Sequence, residues 1–197
     1  MSKVLKLSAK RGSPFLEGIK AKDSDLKLDL HTHCFETMNF PNPTPDRVKE
    51  IITAVKDRGL DGIAVTEHND KAYGYKTKEI VDRYFGGEIV IIPGQEIDAR
   101  LMQVVELYLP REVTFRFVAH PGYPYIRDIS CYIDDSIHGI EFRNPLHDRS
   151  MDSPRIRELA EKHGLLLLTN SDAHNLNNIG HYYNEIEIED LCARARK

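Results

Sequence analysis

Several features that would define the class of this protein at once are missing from its sequence. Its 197 residues include only three cysteines, Cys34, Cys131 and Cys192, which lie far apart. Their odd number and spacing argue against a disulfide framework and against a zinc knuckle. No apolar stretch approaches the roughly 20 residues that cross a bilayer, and the basic N-terminal segment lacks the apolar core of a secretory signal. We therefore expect a cytoplasmic protein with no membrane contact.

A concentration of charge of one sign is also missing. The formal net charge is −4, and there is no long basic run that would give the electrostatic footprint of a duplex-binding protein. The length fits a single domain with a sizeable core. We interpret residues 1–25 as an N-terminal extension with an edge strand and a loop, and residues 26–197 as the main domain.

Apolar strands and amphipathic helices alternate along most of the chain. Thr44 and Ser153 are each followed by proline, a pattern typical of a helix cap and first turn. Continuous apolar strands, such as residues 63–65 and 165–168, are typical of a parallel sheet covered by helices. The segment NEIEIED, residues 184–190, predicts a final half-exposed strand. Six or seven such units in one domain favour an α/β barrel or a barrel-like fold.

Side chains that bind metals recur where these strands end. In chain order they are His31, His33, His68, Glu96, His120, Glu141, Asp172 and His174. Parallel barrel strands share one carboxyl-terminal face, so we expect these groups to converge. His31 and His33 are two residues apart in extended chain and therefore point to the same side, as do Asp172 and His174. Imidazoles mixed with carboxylates suit Zn²⁺, Mn²⁺ or Fe.

Other polar residues fall outside this pattern or beside it. We expect His147, His163 and His181 to be ordinary surface or hydrogen-bonded side chains. Asp29 lies in the strand that precedes His31, where it either orients a ligand imidazole or is a satisfied structural carboxylate. Carboxylates gathered at one place repel each other unless a cation is present, so we predict a metal site at the strand ends.

Six short motifs, in this order, resemble those of the PHP family, the polymerase and histidinol phosphatase domain of metal-dependent phosphoesterases. The motifs are DLHTH (29–33), TEHN (66–69), GQE (94–96), AHPG (119–122), GIEFRN (139–144) and TNSDAH (169–174). The resemblance implies a distorted (β/α)7 barrel in one domain, with two or three divalent metal ions at its mouth.

The resemblance also implies a role for each ligand. One metal would be held by His31, His33 and Asp172, and Glu96 would bridge it to a second metal that His120 also binds. A third metal would be held by His68 and His174.

Two places depart from the family pattern or leave it open. Many relatives carry a further ligand of the third metal at a position that is here Met38 or Asn39, and Glu36 is the nearest residue able to replace it. The second metal often takes another ligand near the GIEFRN motif, and both Glu141 and His138 are candidates.

The function implied is metal-assisted hydrolysis of a phosphate ester, either a small phosphomonoester or a nucleotide, by a water molecule that the metals activate. His174 or His68 would protonate the leaving group. Arg143 either grips the phosphate or forms a surface ion pair. The end of a short nucleic acid stays open as a substrate. Two other interpretations are an amidohydrolase-type hydrolase, which also begins with H-x-H, and a PHP module that binds metal without catalysis.

Overall fold

One eight-stranded sheet, curled into a nearly closed barrel, frames the protein in the computed structural model, which describes residues 25–123 and 129–196. The strands are β1 (Leu26–Asp29), β2 (Gly62–Val65), β3 (Val90–Ala99), β4 (Met102–Leu109), β5 (Val113–Val118), β6 (Gly139–Arg143), β7 (Leu166–Thr169) and β8 (Asn184–Ile186). Their order in the sheet is β7-β6-β5-β4-β3-β2-β1-β8. The expected α/β barrel is confirmed.

The described residues form four α-helices: α1 (Pro45–Asp57), α2 (Ala72–Tyr84), α3 (Ser153–His163) and α4 (Ile188–Arg194). The start of α1 follows the sequence prediction, since Thr44 caps it by accepting a hydrogen bond from the Arg47 backbone N–H. Its buried side chains recur every three or four residues, so one face of the helix packs on the sheet.

The expectation of a parallel sheet is corrected in the middle of the chain. β3 and β4 form an antiparallel hairpin, and β4 is also antiparallel to β5, whereas β1–β2, β2–β3, β5–β6 and β6–β7 pair in parallel. No α-helix lies between β3 and β5 among the described residues, which include this whole stretch. The apolar run LMQVVELYL, which the sequence predicts as an additional strand, is β4, and it pairs antiparallel with both of its neighbours.

Two local predictions are also corrected. The cap of α3 is Asp152, whose side chain accepts from the Arg155 backbone N–H, and Ser153 is already inside the helix. The segment NEIEIED is a strand only as far as Ile186, where β8 pairs antiparallel with β1. It then turns into α4, because Ile188, Leu191 and Cys192 recur at helical spacing and are buried in the core.

The Asn184 side chain, on β8, closes the barrel against β7, the strand at the other edge of the sheet. The Thr169 backbone N–H, at the end of β7, donates to Asn184 Oδ1 at 2.9 Å, and Asn184 Nδ2 donates back to the Thr169 carbonyl oxygen at 2.9 Å. Nearby, the His33 backbone N–H donates to the Ala173 carbonyl oxygen at 2.9 Å. These bonds bring the residues that follow β7 against those that follow β1.

The described residues contain no helix that is both long and apolar enough to span a bilayer. The predicted N-terminal extension lies almost wholly outside the described residues, so its edge strand and loop stay predictions.

Candidate metal centre

The H-x-H segment leaves β1 in extended conformation, and the barrel fixes it from both sides. Thr32, between the two histidines, turns away from them and donates to the Ala64 carbonyl oxygen at 2.6 Å, while its backbone N–H donates to Thr66 Oγ1. The alternation therefore places both His31 and His33 on the interior side, where they are completely buried. The predicted shared orientation of the two rings is confirmed.

A first ligand set groups His31, His33 and Asp172, and one oxygen of Glu96 faces the two histidines. His31 Nε2 and His33 Nε2 are 3.1 Å apart, and both lie 3.3–3.5 Å from Glu96 Oε2 and Asp172 Oδ1. A tetrahedral metal with ligands at about 2.1 Å separates its ligand atoms by about 3.4 Å. The separations therefore suit one tetrahedral cation of this kind.

A second ligand set lies on the other side of Glu96. Glu96 Oε1 is 3.0 Å from His120 Nε2, so the two oxygens of one carboxylate face two different sets. His147 Nε2 lies 3.6 Å from Asp172 Oδ2, and the rings of His120 and His147 are 4.5 Å apart. His120, His147 and Asp172 have ligand atoms close enough to share a cation.

The expectation that His147 stands apart from the cluster is wrong. It lies in a turn three residues after Asn144, where the GIEFRN motif ends, and this turn folds back over the barrel mouth. The prediction missed it because His147 does not follow a strand directly. A usable signal was the sequence N-P-L-H-D, in which asparagine and proline start a tight turn just beyond a buried strand.

The third ligand set is more exposed and includes Glu36. This residue opens a 3₁₀ turn (Glu36–Met38), and its Oε2 lies 3.3 Å from His174 Nε2 and 3.7 Å from His68 Nε2. His68 and His174 are each a little over one-third exposed, whereas the first two sets are buried apart from the half-buried His147. The turn thus brings Glu36 to the position that Met38 and Asn39 leave without a ligand.

The ring nitrogens opposite the ligand atoms have partners that fix the tautomers. His31 Nδ1 lies 3.3 Å from Glu141 Oε1, His120 Nδ1 lies 3.3 Å from the Tyr123 carbonyl oxygen, and His174 Nδ1 lies 3.0 Å from the Asp172 carbonyl oxygen. Carboxylate and carbonyl oxygens only accept, so each Nδ1 carries the proton. The lone pair on each Nε2 is then directed at the ligand sets, as in metal-binding histidines.

Glu141 lies behind the ligands. Its Oε1 accepts from Asn170 Nδ2 and faces the His31 ring, and its Oε2 accepts from the His120 backbone N–H and from Asn144 Nδ2. These contacts occupy both oxygens, so the geometry gives Glu141 the role of orienting His31. His138, the other candidate, precedes β6 at the opposite end of the strand, where its Nδ1 accepts from the Arg116 backbone N–H.

Two further residues singled out in the sequence, Arg143 and Asp29, also bind other groups of the protein. Arg143 is exposed and pairs with Asp148 at 3.0 Å and with the Tyr182 hydroxyl, which is the surface ion pair that the sequence left open. Asp29 does not touch a ligand ring. It accepts hydrogen bonds from the backbone N–H groups of His31, Ser171 and Gly180 and thereby braces the loops that carry the ligands.

Opposite charges dominate the electrostatics of the cluster. Burial acts to lower the pKa of His31, but the carboxylates of Asp172, Glu96 and Glu141 outweigh it and hold this pKa well above its usual value. The same balance raises the pKa of His33 to about 9. Burial acts to raise the pKa values of Glu96 and Asp172, and the facing histidines reverse this, so both lie below their usual range.

The residues fit a bound cation on two further observations. Buried atoms of the ligand sets, Asp172 Oδ1 and Glu36 Oε2, have no hydrogen-bond partner among the described residues, although an unpaired buried carboxylate oxygen is costly. In addition, Asp172 and His120 adopt positive φ values of 50° and 25°. Backbone strain of this kind persists where surrounding structure requires it, commonly at functional sites.

Comparisons with known proteins agree with this geometry. A family model described as PHP-associated matches residues 152–197, which include Asp172 and His174. An uncharacterized protein of Methanocaldococcus jannaschii is 30% identical over 95 residues, covering 45% of this chain and 53% of that protein. The matched segment thus spans about half the length of this relative.

Two solved structures share the fold at low sequence identity. A protein of Bifidobacterium adolescentis named "putative metal-dependent phosphoesterase" aligns with a TM-score of 0.63 and 14% identity, covering 85% of this chain and 96% of that one. PsfC from Pseudomonas syringae aligns with a TM-score of 0.62 and 17% identity, covering 85% of this chain and 88% of that one. Together, these matches show that the chain shares its fold with both proteins and that its C-terminal residues resemble a PHP-associated family model.

Proposed function

We propose that this protein is a metal-dependent phosphoesterase that hydrolyses a small phosphomonoester or a nucleotide. The observation that carries the proposal is the arrangement of three adjoining ligand sets, two of which share the Glu96 carboxylate. A shared carboxylate between two nitrogen-rich sets is what a pair of close divalent cations requires.

Each part of the cluster has a distinct task in this proposal. Zn²⁺, Mn²⁺ or Fe ions would supply Lewis-acid chemistry and a hydroxide nucleophile near neutral pH. Glu96 keeps the first two sets adjacent by directing one oxygen to each. His68 and His174, the more exposed members, face incoming substrate, and with the third set empty either one can donate a proton to the leaving-group oxygen.

The substrates that we propose are small phosphorylated molecules. The end of a short nucleic acid, which also carries a phosphate ester, is the other candidate. Arg143, the arginine that the sequence favours for this role, already pairs with Asp148, so cations rather than Arg143 would bind the phosphoryl oxygens. A cytoplasmic location stays a prediction from the sequence.

The experiment compares the wild-type protein, loaded with Mn²⁺, Zn²⁺ or Fe²⁺, with the double variant His31→Ala/Asp172→Ala. Both are assayed against phosphomonoesters, nucleotides and short oligonucleotides, and their metal content is measured by elemental analysis. We expect the double variant to lose the metals and the hydrolysis, while His181→Ala, which alters an exposed histidine outside the ligand sets, keeps both.

Three results would reject this proposal. Undiminished turnover in the double variant would exclude the metal mechanism. A wild-type protein that binds metals but cleaves no phosphoester would favour the module without catalysis, and cleavage of an amide or lactone instead would favour the amidohydrolase-type interpretation.

A further inference from the structure

Asn144 is a completely buried residue directly after β6, and its side chain contacts two carboxylates of the cluster. Its Nδ2 donates to Glu141 Oε2 at 2.9 Å and to Asp172 Oδ2 at 3.1 Å. Both protons of this amide nitrogen are therefore used, each on a different carboxylate. Hydrogen bonds to a charged acceptor in a buried site are among the stronger ones.

The same residue also organises the turn that carries His147. Asn144 Oδ1 accepts from the Leu146 backbone N–H at 3.0 Å, and the Asn144 carbonyl oxygen accepts from the backbone N–H groups of His147 and Asp148. Asp148 completes the turn by accepting from the Asn144 backbone N–H at 2.9 Å. The position of His147 relative to β6 thus depends on Asn144 through both its side chain and its backbone.

We infer that Asn144 is a positioning residue for the second ligand set, an inference that rests on the proposed metal centre. Its donor to Oδ2 fixes the rotation of the Asp172 carboxylate. Oδ1 then faces His33 Nε2 at 3.3 Å, and Oδ2 faces His147 Nε2 at 3.6 Å. One side chain therefore aligns two members of the second set, although it is not itself a member.

Asn170 supplies a matched control within the same chain. It is also completely buried, and its Nδ2 donates to the other oxygen of Glu141 at 2.8 Å. Its Oδ1 accepts from the Leu30 backbone N–H and from Asn184 Nδ2. Replacement of either asparagine by aspartate keeps the shape and the acceptor and removes a donor to Glu141. Only Asn144→Asp also removes the donor to Asp172.

The experiment titrates Mn²⁺ into the wild-type protein, Asn144→Asp and Asn170→Asp. Calorimetry gives stepwise affinities, and electron paramagnetic resonance detects the spin coupling of two adjacent Mn²⁺ ions. We expect Asn144→Asp to bind the second ion 10–100-fold more weakly than Asn170→Asp does, which is the usual effect of removing a group that orients a ligand. The coupled signal should be lost in Asn144→Asp at Mn²⁺ concentrations where Asn170→Asp retains it.

Asn144→Ser provides a second variant if the buried aspartate prevents folding. Serine can still cap the turn at Leu146 but is too short to reach Asp172, so the same loss of the second ion is expected. Equal second-ion affinities in the Asn144 and Asn170 variants would overturn the inference and leave the proposed function intact. A wild-type protein that never binds a second Mn²⁺ would refute the two-metal centre itself, and the inference with it.

Discussion

Two groups of buried or half-buried carboxylates in this protein differ in how their oxygens are satisfied. The first is the Glu106 cluster, formed by Gln95, Glu106, Tyr108 and Arg116 on the outer side of β3, β4 and β5. Glu106 Oε1 accepts from Arg116 Nε at 2.7 Å, and its Oε2 accepts from Gln95 Nε2 and the Tyr108 hydroxyl at 2.9 and 2.8 Å. Every acceptor is matched by a protein donor, so the cluster is complete as it stands.

The cluster at the barrel mouth is built on the opposite plan. Its carboxylates face histidine nitrogens that are themselves best suited to donate a lone pair, and Asp172 Oδ1 and Glu36 Oε2 have no hydrogen-bond partner among the described residues. Adjacent residues of one strand show the contrast, since Gln95 points to the Glu106 cluster and Glu96 to the barrel interior. A carboxylate whose oxygens all accept hydrogen bonds from protein donors has a structural role. Carboxylate oxygens and histidine nitrogens whose lone pairs face each other indicate a site for a cation.

The largest effect on metal binding and stability is expected from Glu96→Gln, at the centre of the cluster. This change removes the charge and one ligand from both of the first two sets. In the wild-type protein, a metal at 100 times its dissociation constant should stabilise the fold by about 2.7 kcal/mol. We expect thermal unfolding with Zn²⁺ or a chelator to show this difference in the wild type and in Glu106→Gln, and to show none in Glu96→Gln.

A smaller effect is expected from His147→Ala, which removes one ligand of the second set and leaves the first set intact. The second Mn²⁺ ion should bind at least about 10-fold more weakly, since even groups behind the ligands change affinity by 10–100-fold. Calorimetric titration measures this, with His163→Ala as the control histidine outside the ligand sets. Unchanged affinity for the second ion would mean that His147 only packs against His120.

Glu36→Gln sharpens the comparison at the exposed edge of the cluster. Because Glu36 belongs only to the third set, we expect one fewer bound metal per chain with the first two retained. Elemental analysis after gel filtration provides the count. Glu50→Gln, which changes an exposed glutamate of α1, should bind as many metals as the wild type.

The smallest effect is expected in the Glu106 cluster. Burial acts to raise the pKa of Glu106, but its bonds with Gln95, Tyr108 and Arg116 outweigh it and lower this pKa below its usual value. A carboxyl group whose pKa is lower in the folded state than in the unfolded state stabilises the fold at pH values above its unfolded-state pKa. This stabilisation disappears as the pH falls through the folded-state pKa. Glu106→Gln should therefore unfold at a lower urea concentration than the wild type at pH 7. The loss in the free energy of unfolding should be less than about 1 kcal/mol. The difference should shrink towards pH 3, and a difference that grows there would contradict the assignment.

The strand ends could be read from the sequence because their physics is local. Alternation in extended chain fixes the shared side of His31 and His33, and parallel strands bring their ends together whatever the loops do. Glu36 could also be predicted as a ligand, because it lies in a short turn directly after the H-x-H segment and its carboxylate must therefore stay close to the two histidines. His147 was harder to predict: the turn that carries it is a local feature, but its place beside the ligands depends on the bond from Asn144 to Asp172, which is 28 residues away in sequence.

The antiparallel hairpin of β3 and β4 was missed for another reason. Its two-residue connection is Arg100-Leu101, between the paired residues Ala99 and Met102. Such turns usually carry asparagine or glycine because they need positive φ values. Arg100 adopts a φ of 60° without either residue type, so the sequence shows no turn signal and the long apolar run after it resembles a separate parallel strand.

The hydrogen bonds of Asn170 and Asn184, which join the end of β7 to β8 and to the end of β1, form an asparagine seam that closes the barrel and affects how fast the cluster can assemble. The bond from the Leu30 backbone N–H to Asn170 Oδ1 joins residues 140 positions apart, and Asp172 meets His31 only when this seam forms. Contacts of such long range form late, because their loop-closure entropy must be overcome first. Interactions made after the rate-limiting step mainly slow unfolding. A cation held across the seam would therefore act chiefly on the lifetime of the folded chain, and less on the rate at which it folds.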